Sequence, residues 1–203
     1  MSRLDGKEAA MSEGARDRMV DSAIKLLAMH GFQGASFSAV LEDSRAPRGS
    51  IYHHFPGGKD ELIVEAIDRS GRNATQIVER FRGLPSADVV RSFVAIWRAL
   101  LTVSDFRVGC SVLGATVSAG DAEIVDRAAD VFRSWQAQLA SVLSEAGLGQ
   151  EEADELGTLL VASCEGAVVL CRAERSFLPL DRVERALLRT ASVDLDPTRT
   201  AQA

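Results

Sequence analysis

Apolar side chains return at helical spacing from the first quarter of the chain onward. After a polar start, Val20, Ala23, Ile24 and Leu27 share one face, and His30-Gly31 closes that segment with a glycine stop. Phe32 re-enters the core. Ser36 is placed to cap a short second helix carrying Phe37, Val40 and Leu41, and "SRAPRG" interrupts it. Pro47 suits the opening of a third helix, about 48–54, because the donor it lacks is not needed there. A long helix over about 58–82 follows, with Ile63, Ala66, Ile67, Ser70, Ala74, Ile77 and Phe81 on one broad face, and Gly83-Leu84-Pro85 stops it. Ser86 is expected to cap the next helix, which carries Val89, Val90, Phe93, Ile96, Trp97, Leu100 and Leu101. Around "SDFRVGCSVLG" the pattern lapses into a turn and a short helix. Helices over about 121–146 and 151–175 come next, the second with acidic residues at its positive end. Asp181 with Glu184 has the spacing of a capping box for a last helix reaching about 189.

About nine helices and no strand pattern give an all-α fold. Three short helices, the second and third joined by a tight turn, describe a helix-turn-helix, which offers its third helix to the major groove and uses the first two as support. The expected organisation is therefore 1–57, a tail and helix-turn-helix DNA-binding domain; 58–191, a larger helical domain; and 192–203, a loose tail.

Composition narrows the function. The chain has 203 residues, 46% hydrophobic and 26% charged, enough for a well-buried core. A net charge of −6 argues against a generally basic nucleic-acid binder and leaves room only for a local patch. One window qualifies: 44–59 contains no Asp or Glu and holds Arg45, Arg48 and Lys59. The start, "MSRLDGKEAAMSEGARDR", lacks the apolar core of a signal peptide, and the longest apolar run, 156–171, is broken by Glu165; a cytoplasmic protein is expected. Cys110, Cys164 and Cys171 make no CxxC pair and point to reduced, buried thiols. His53 and His54 have no third ligand at a fitting spacing, so neither a metal nor a cofactor is expected.

The stretch "RGSIYHHFPGGKDELI", 48–63, carries the densest chemistry. Gly49 lets the third helix approach DNA closely, Arg48 and Ser50 offer donors at its leading end, and His53 can donate to phosphate or a base edge. Tyr52 can give its hydroxyl to phosphate while its ring packs. Phe55 belongs to the core. Gly57 and Gly58 can present backbone N–H groups to a phosphate at the start of the fourth helix, where Lys59 adds charge. Arg45 is open to two readings, base contact or plain exposure; Arg16 and Arg18 to two others, DNA backbone contact or a solvated helix face.

In order along the chain, Gly31-Phe32, Ser36, Val40, Gly49, Ser50, Ile51, Tyr52, His54, Phe55, Lys59 and Leu62 are the residues by which the region from Arg16 to about Ile67 resembles the DNA-binding domain of the TetR family of transcriptional regulators. "HFPGGKDEL" looks most like the LmrA/YxaF-like branch. The C-terminal resemblance lies in general helix layout and "EGAVVLCRAERS". The turn departs from the family's usual Ala-Gly-Val-Ser: it is Ser44-Arg45-Ala46-Pro47, and Arg45 where glycine is common suggests a left-handed or adjusted turn. The resemblance implies a DNA-contacting set of Ser36, Arg45, Arg48, Gly49, Ser50, Tyr52, His53, His54, Gly58 and Lys59.

It also implies an apolar small-molecule pocket in the larger domain, where Phe93, Trp97, Phe106, Cys110, Phe132, Trp135, Cys164 and Glu165 are the candidates, although aromatics at helical spacing serve equally as plain core. Small and branched residues along the eighth helix, with Gly166 and Leu170, and Val183 and Leu187 on the last, fit a twofold four-helix interface between two copies. The expected protein is a homodimeric, ligand-responsive regulator, a repressor released from a near-palindromic operator in double-stranded DNA by a small, largely apolar effector. It is not expected to be an enzyme, to bind a membrane or to need a cofactor. Two alternatives stand: an all-helical enzyme using the central cavity, and a cysteine-based redox sensor. Cys164 and Cys171, two helical turns or about 10 Å apart, would need Cys110 or a second chain to form a disulfide.

Overall fold

The computed structural model describes residues 3–118 and 120–193, and side chains over 14–118 and 120–191. Among them are nine helices and no strand: α1 (Arg3–Gly34), α2 (Phe37–Ser44), α3 (Arg48–His54), α4 (Lys59–Glu79), α5 (Ser86–Ser104), α6 (Ser111–Thr116), α7 (Ala122–Glu145), α8 (Gln150–Glu174) and α9 (Leu178–Val193). They form two compact units. One draws on Met1–Ser70 and Cys110–Val131, the other on Gly71–Gly109 and Phe132–Ala203, so the division falls inside α4 and α7.

The first unit holds the helix-turn-helix. α1 begins far upstream of Val20 because the polar start is rich in good helix formers, Lys7, Glu8, Ala9, Ala10 and Glu13. The expected stop at Gly31 is a kink (φ 69°), after which the chain makes one further turn. Met19, Leu27, Val40, Ile51, Phe55, Leu62, Ile63, Ile67 and Ile124 are sealed from solvent and make the core. α6, which the sequence left outside this domain, packs tightly on α1. A Cβ on Gly114 would lie 2.3 Å from the Leu27 carbonyl oxygen, so only glycine permits the approach. Ser118 Oγ accepts from the Phe32 N–H (2.9 Å) and donates to the Gly114 carbonyl, and the Ser70 and Ser111 hydroxyls meet at 2.9 Å. Arg69 bonds Asp17 and Asp21, and Arg127 bonds Asp68, which ties α4 to α1 and to the start of α7.

In the second unit α5 and α9 lie along α8. Arg98 of α5 reaches Asp181 (2.8 Å) and Glu184 (3.1 Å) of α9 and stands over the Phe177 ring. Those two carboxylates are therefore not a capping box: α9 starts at Leu178, and Asp181 and Glu184 lie within it, facing a cation on another helix. Ser86 is not a cap either. It is buried in the first turn of α5, after Pro85, and its hydroxyl donates to the Ala191 carbonyl (3.4 Å). α8 is long and apolar enough to cross a bilayer by length and composition, but half of its most apolar window is buried inside the protein, as in a core helix. Ser192 and Val193 still belong to α9; the rest of the expected tail, 194–203, lies outside the described residues.

Four residues other than glycine take left-handed backbone angles: Arg45, Asp105, Phe106 and Arg175. The crowding of Cβ against the carbonyl makes each unfavourable by about 1–2 kcal/mol.

Candidate nucleic-acid interface and the interior of the second unit

Ser36 caps α2 through its Oγ, which accepts from the Ala39 N–H (3.2 Å). α2 ends at Arg45, left-handed at φ 55°, ψ 30°, as the departure from the family turn suggested. Ser44 Oγ then accepts from the Ala46 N–H, Ala46 is buried, and extended Pro47 leads into α3. The one fully buried side chain of α3 is Ile51. Its outer face presents Arg48, Gly49, Tyr52 and His53, all exposed.

The predicted contact residues divide by what their polar atoms already do. Arg45 and Arg48 make no hydrogen bond or ion pair within the described residues, and Tyr52, 69% exposed, uses only its ring, edge-on to Phe37 at 5.6 Å. His53 touches His54 ring to ring. Gly49 has open space where a Cβ would stand, so nothing inside the protein requires glycine at this helical position, where it is less favourable than alanine by about 0.5–1 kcal/mol. Other members of the set are engaged internally. Ser50 Oγ donates to the Pro47 carbonyl (2.7 Å). Lys59 Nζ donates to the Phe32 carbonyl (2.7 Å) and sits 3.7 Å from the Phe32 ring centroid; burial pulls its pKa below the usual lysine value, with Asp60 opposing in part. The backbone donors expected to hold phosphate are occupied as well: Gly57 N–H donates to the Glu61 carboxylate (2.7 Å) and Gly58 N–H to the Phe55 carbonyl (3.0 Å). Gly58 is needed for its backbone, at φ 90°. Arg16 and Arg18 also have partners inside the chain, although Arg18 stays exposed. Arg16 bonds Glu65 and covers the Phe55 ring, while Arg18 bonds the Ser44 and Gly14 carbonyls, so α1 buttresses the turn. His54 is half-buried, and burial first, then the charges of His53 and Arg16, lower its pKa below the ordinary histidine value.

The candidates of the larger domain do not all come together. Cys110 belongs to the first unit, where its sulfur caps α6 by accepting from the Leu113 N–H. Phe93, Trp97, Trp135, Cys164 and Glu165 are buried in the second unit; Phe106 and Phe132 are half-buried there, Phe106 against Phe177 (4.8 Å) and Phe132 edge-on to Trp135 (5.5 Å). The two tryptophans differ. Trp135 Nε1–H donates to the Gly71 carbonyl (3.2 Å), a structural bond between α7 and α4, whereas the Trp97 indole N–H, buried beside Phe93, has no hydrogen-bond partner among the described residues. The Cys164 thiol is pushed up to about 12, by burial first and then by the charges of Glu165 and Glu184, and burial raises Cys171 too. The raised thiols of Cys164 and Cys171 carry little thiolate at neutral pH, which weighs against these two as a redox sensor. No group of three His, Cys, Asp or Glu able to hold a metal occurs among the described residues.

Of the expected interface residues, Gly166 and Leu170 lie on the exposed side of α8 and Val183 is half-buried. Leu187 is 2% exposed, used by α9 to pack within its own unit, and is not at the surface. Leu159 and Val169 were missed; with Ala162, one of the small residues expected there, they continue the exposed apolar stripe of α8 at the i, i+3, i+7 spacing that Gly166 and Leu170 share.

Comparison with known proteins agrees with this arrangement. Residues 19–66 match the family model of bacterial regulatory proteins of the TetR family, and residues 86–186 match the C-terminal domain of LmrA/YxaF-like transcriptional regulators. The HTH-type transcriptional regulator Rv0196 of Mycobacterium tuberculosis is 36% identical over 182 residues, 86% of this chain and 93% of that one. The chain belongs to the TetR family. The regulator YxaF of Bacillus subtilis is 30% identical over 173 residues, covering 82% of this chain and 89% of its own. A TetR regulatory protein from Rhodobacter sphaeroides has the same fold, with a TM-score of 0.78 at 22% identity over 87% of this chain and 98% of its own. The protein is a TetR-family DNA-binding transcriptional regulator, and its relatives and fold are those of regulators. TetR-family regulators bind DNA and dimerise.

Proposed function

We propose that this TetR-family protein is a repressor whose dimer binds a near-palindromic operator and is released by a small, largely apolar ligand. The observation that carries the proposal is the outer face of α3 and the turn before it. Arg45, Arg48 and Tyr52 offer donors that no group among the described residues uses, around a Gly49 that leaves room for a close approach. One short helix reads few bases, so two copies set about one DNA turn, ~34 Å, apart are needed for selectivity, and their symmetry is mirrored in the site. The α8 stripe of Leu159, Ala162, Gly166, Val169 and Leu170 supports pairing through that helix. The ligand belongs to the second unit. A buried N–H left without an acceptor is unfavourable by about 1–3 kcal/mol, so the Trp97 indole supports an apolar effector that carries a hydrogen-bond acceptor. Such a ligand lowers operator affinity only as far as it prefers the non-binding geometry.

The test is selection of operator sequences from random DNA by the purified protein, followed by binding titrations at several salt concentrations. A twofold-symmetric site, bound in a salt-sensitive manner, lost by Tyr52→Ala and released by apolar acceptor-bearing molecules, is the expected result. Binding no tighter than to random DNA would refute the DNA assignment, and a tight complex that no small molecule loosens would refute the effector.

A further inference from the structure

At three of the four left-handed positions the side chain has found a partner inside the protein. Asp105 and Arg175, both at helix ends, bond each other at 2.9 Å, and Phe106 stacks against Phe177. Arg45 is the fourth. It is exposed and makes no hydrogen bond, ion pair or ring contact among the described residues, and the acidic neighbour Asp43 is already held by Lys25 at 2.5 Å. Glycine would take φ 55° without strain. The backbone there is not left-handed because of Arg45: the Ser44 bond to Ala46, burial of Ala46 and the Arg18 bond to the Ser44 carbonyl fix the turn from either side. The guanidinium thus brings strain and no internal contact, at a position just before the helix that offers Arg48 and Tyr52 outward.

Resting on the DNA-binding reading above, we propose that Arg45 is a ligand of the DNA backbone: the left-handed turn between α2 and α3 aims its guanidinium at an operator phosphate, and the strain is retained for that contact. A turn residue lies outside the face of α3 that reads bases, and a guanidinium matches a phosphate with paired N–H donors. The contact adds affinity on any sequence and fixes the register in which α3 reads its own.

The experiment compares wild type, Arg45→Gly, Arg45→Lys and Tyr52→Ala by anisotropy titration on the selected operator and on single-base variants of it, over a range of KCl, with thermal unfolding alongside. Arg45→Gly is expected to melt about 2–4 °C higher as the strain is released. It is also expected to bind about tenfold more weakly, by the same factor on every operator variant, with the salt slope reduced by about one per subunit. Arg45→Lys keeps the slope and most of the affinity. Arg45→Gly that melts higher and binds as before, with an unchanged slope, would overturn the proposal, and so would a loss confined to one base pair, which would make Arg45 a base reader. If the wild type selects no sequence, the DNA-binding reading itself fails; if wild type and Tyr52→Ala behave as proposed while Arg45→Gly is silent, only the Arg45 assignment falls.

Discussion

In the helix-turn-helix, the groups that gain nothing from the rest of the chain lie on the surface. In the second unit, such a group lies inside. Gly49 weakens α3 and Arg45 strains the turn beside it, and neither is required by a neighbour. Trp97 is the inverse case, a buried donor, 8% exposed, without an acceptor among the described residues, while Trp135 has one. Glycine in a helix, a left-handed arginine and a buried N–H without an acceptor are each unfavourable to the isolated fold. What persists against stability marks where something outside the chain completes the structure. On the proposed reading, the partner on the surface of the first unit is an anion that approaches closely, and the partner in the interior of the second is a hydrogen-bond acceptor on an otherwise apolar body.

The sharpest way to break this contrast is at α3. Arg48→Ala is expected to lose about 1–3 kcal/mol of operator binding, about 5- to 150-fold, with thermal stability unchanged within about 0.5 kcal/mol because the side chain has no partner among the described residues. A large fall in stability measured by urea titration would show that Arg48 belongs to the fold. Next come the tryptophans, replaced by phenylalanine. Trp135→Phe is expected to destabilise by about 1 kcal/mol through loss of the Gly71 bond, whereas Trp97→Phe removes a buried donor with no partner and should be neutral or stabilising in the absence of effector. Equal losses would end the distinction between them. Gly49→Ala should stabilise by about 0.5–1 kcal/mol, as helix propensity predicts, yet weaken the operator complex, because the new methyl group stands where the DNA backbone approaches.

The smallest effect is a pH dependence. His54 has a folded pKa below its unfolded one, so the unfolded chain takes up the proton first. Its contribution to stability is full above the unfolded value, about 6.5, and is lost as pH falls through the lower folded value. Melting temperature followed from pH 8 to pH 5 should therefore drop less in His54→Asn than in wild type; parallel curves would remove burial of His54 as the cause.

Helical periodicity made most of the helices legible, and the short helices around Ser36 and Pro47 were legible from local capping and φ chemistry that acts over three or four residues. The contact set was legible as residue types and not as free groups. Lys59, Gly57 and Gly58 have the right chemistry for phosphate, but the two glycine N–H donors are taken by Phe55 and Glu61 within four residues, and one of the three Lys59 N–H donors is held by Phe32 across 27. Asp181 and Glu184 had the spacing of a cap and serve instead as the partners of Arg98, 83 and 86 residues away. Leu187 and Leu170 looked alike along the chain, yet one is buried and the other is exposed.

By itself the sequence determined the all-helical character and the helix-turn-helix, because periodicity, capping and backbone preference are local properties. Only the tertiary structure decided that α6 joins the first unit through Gly114, that Arg16 and Arg18 brace the turn in which Arg45 is left-handed, and that among the described residues Arg45, Arg48 and the Trp97 N–H are left without partners. Those outcomes depend on which helices meet, and a side chain's availability is what remains after distant residues have taken their share.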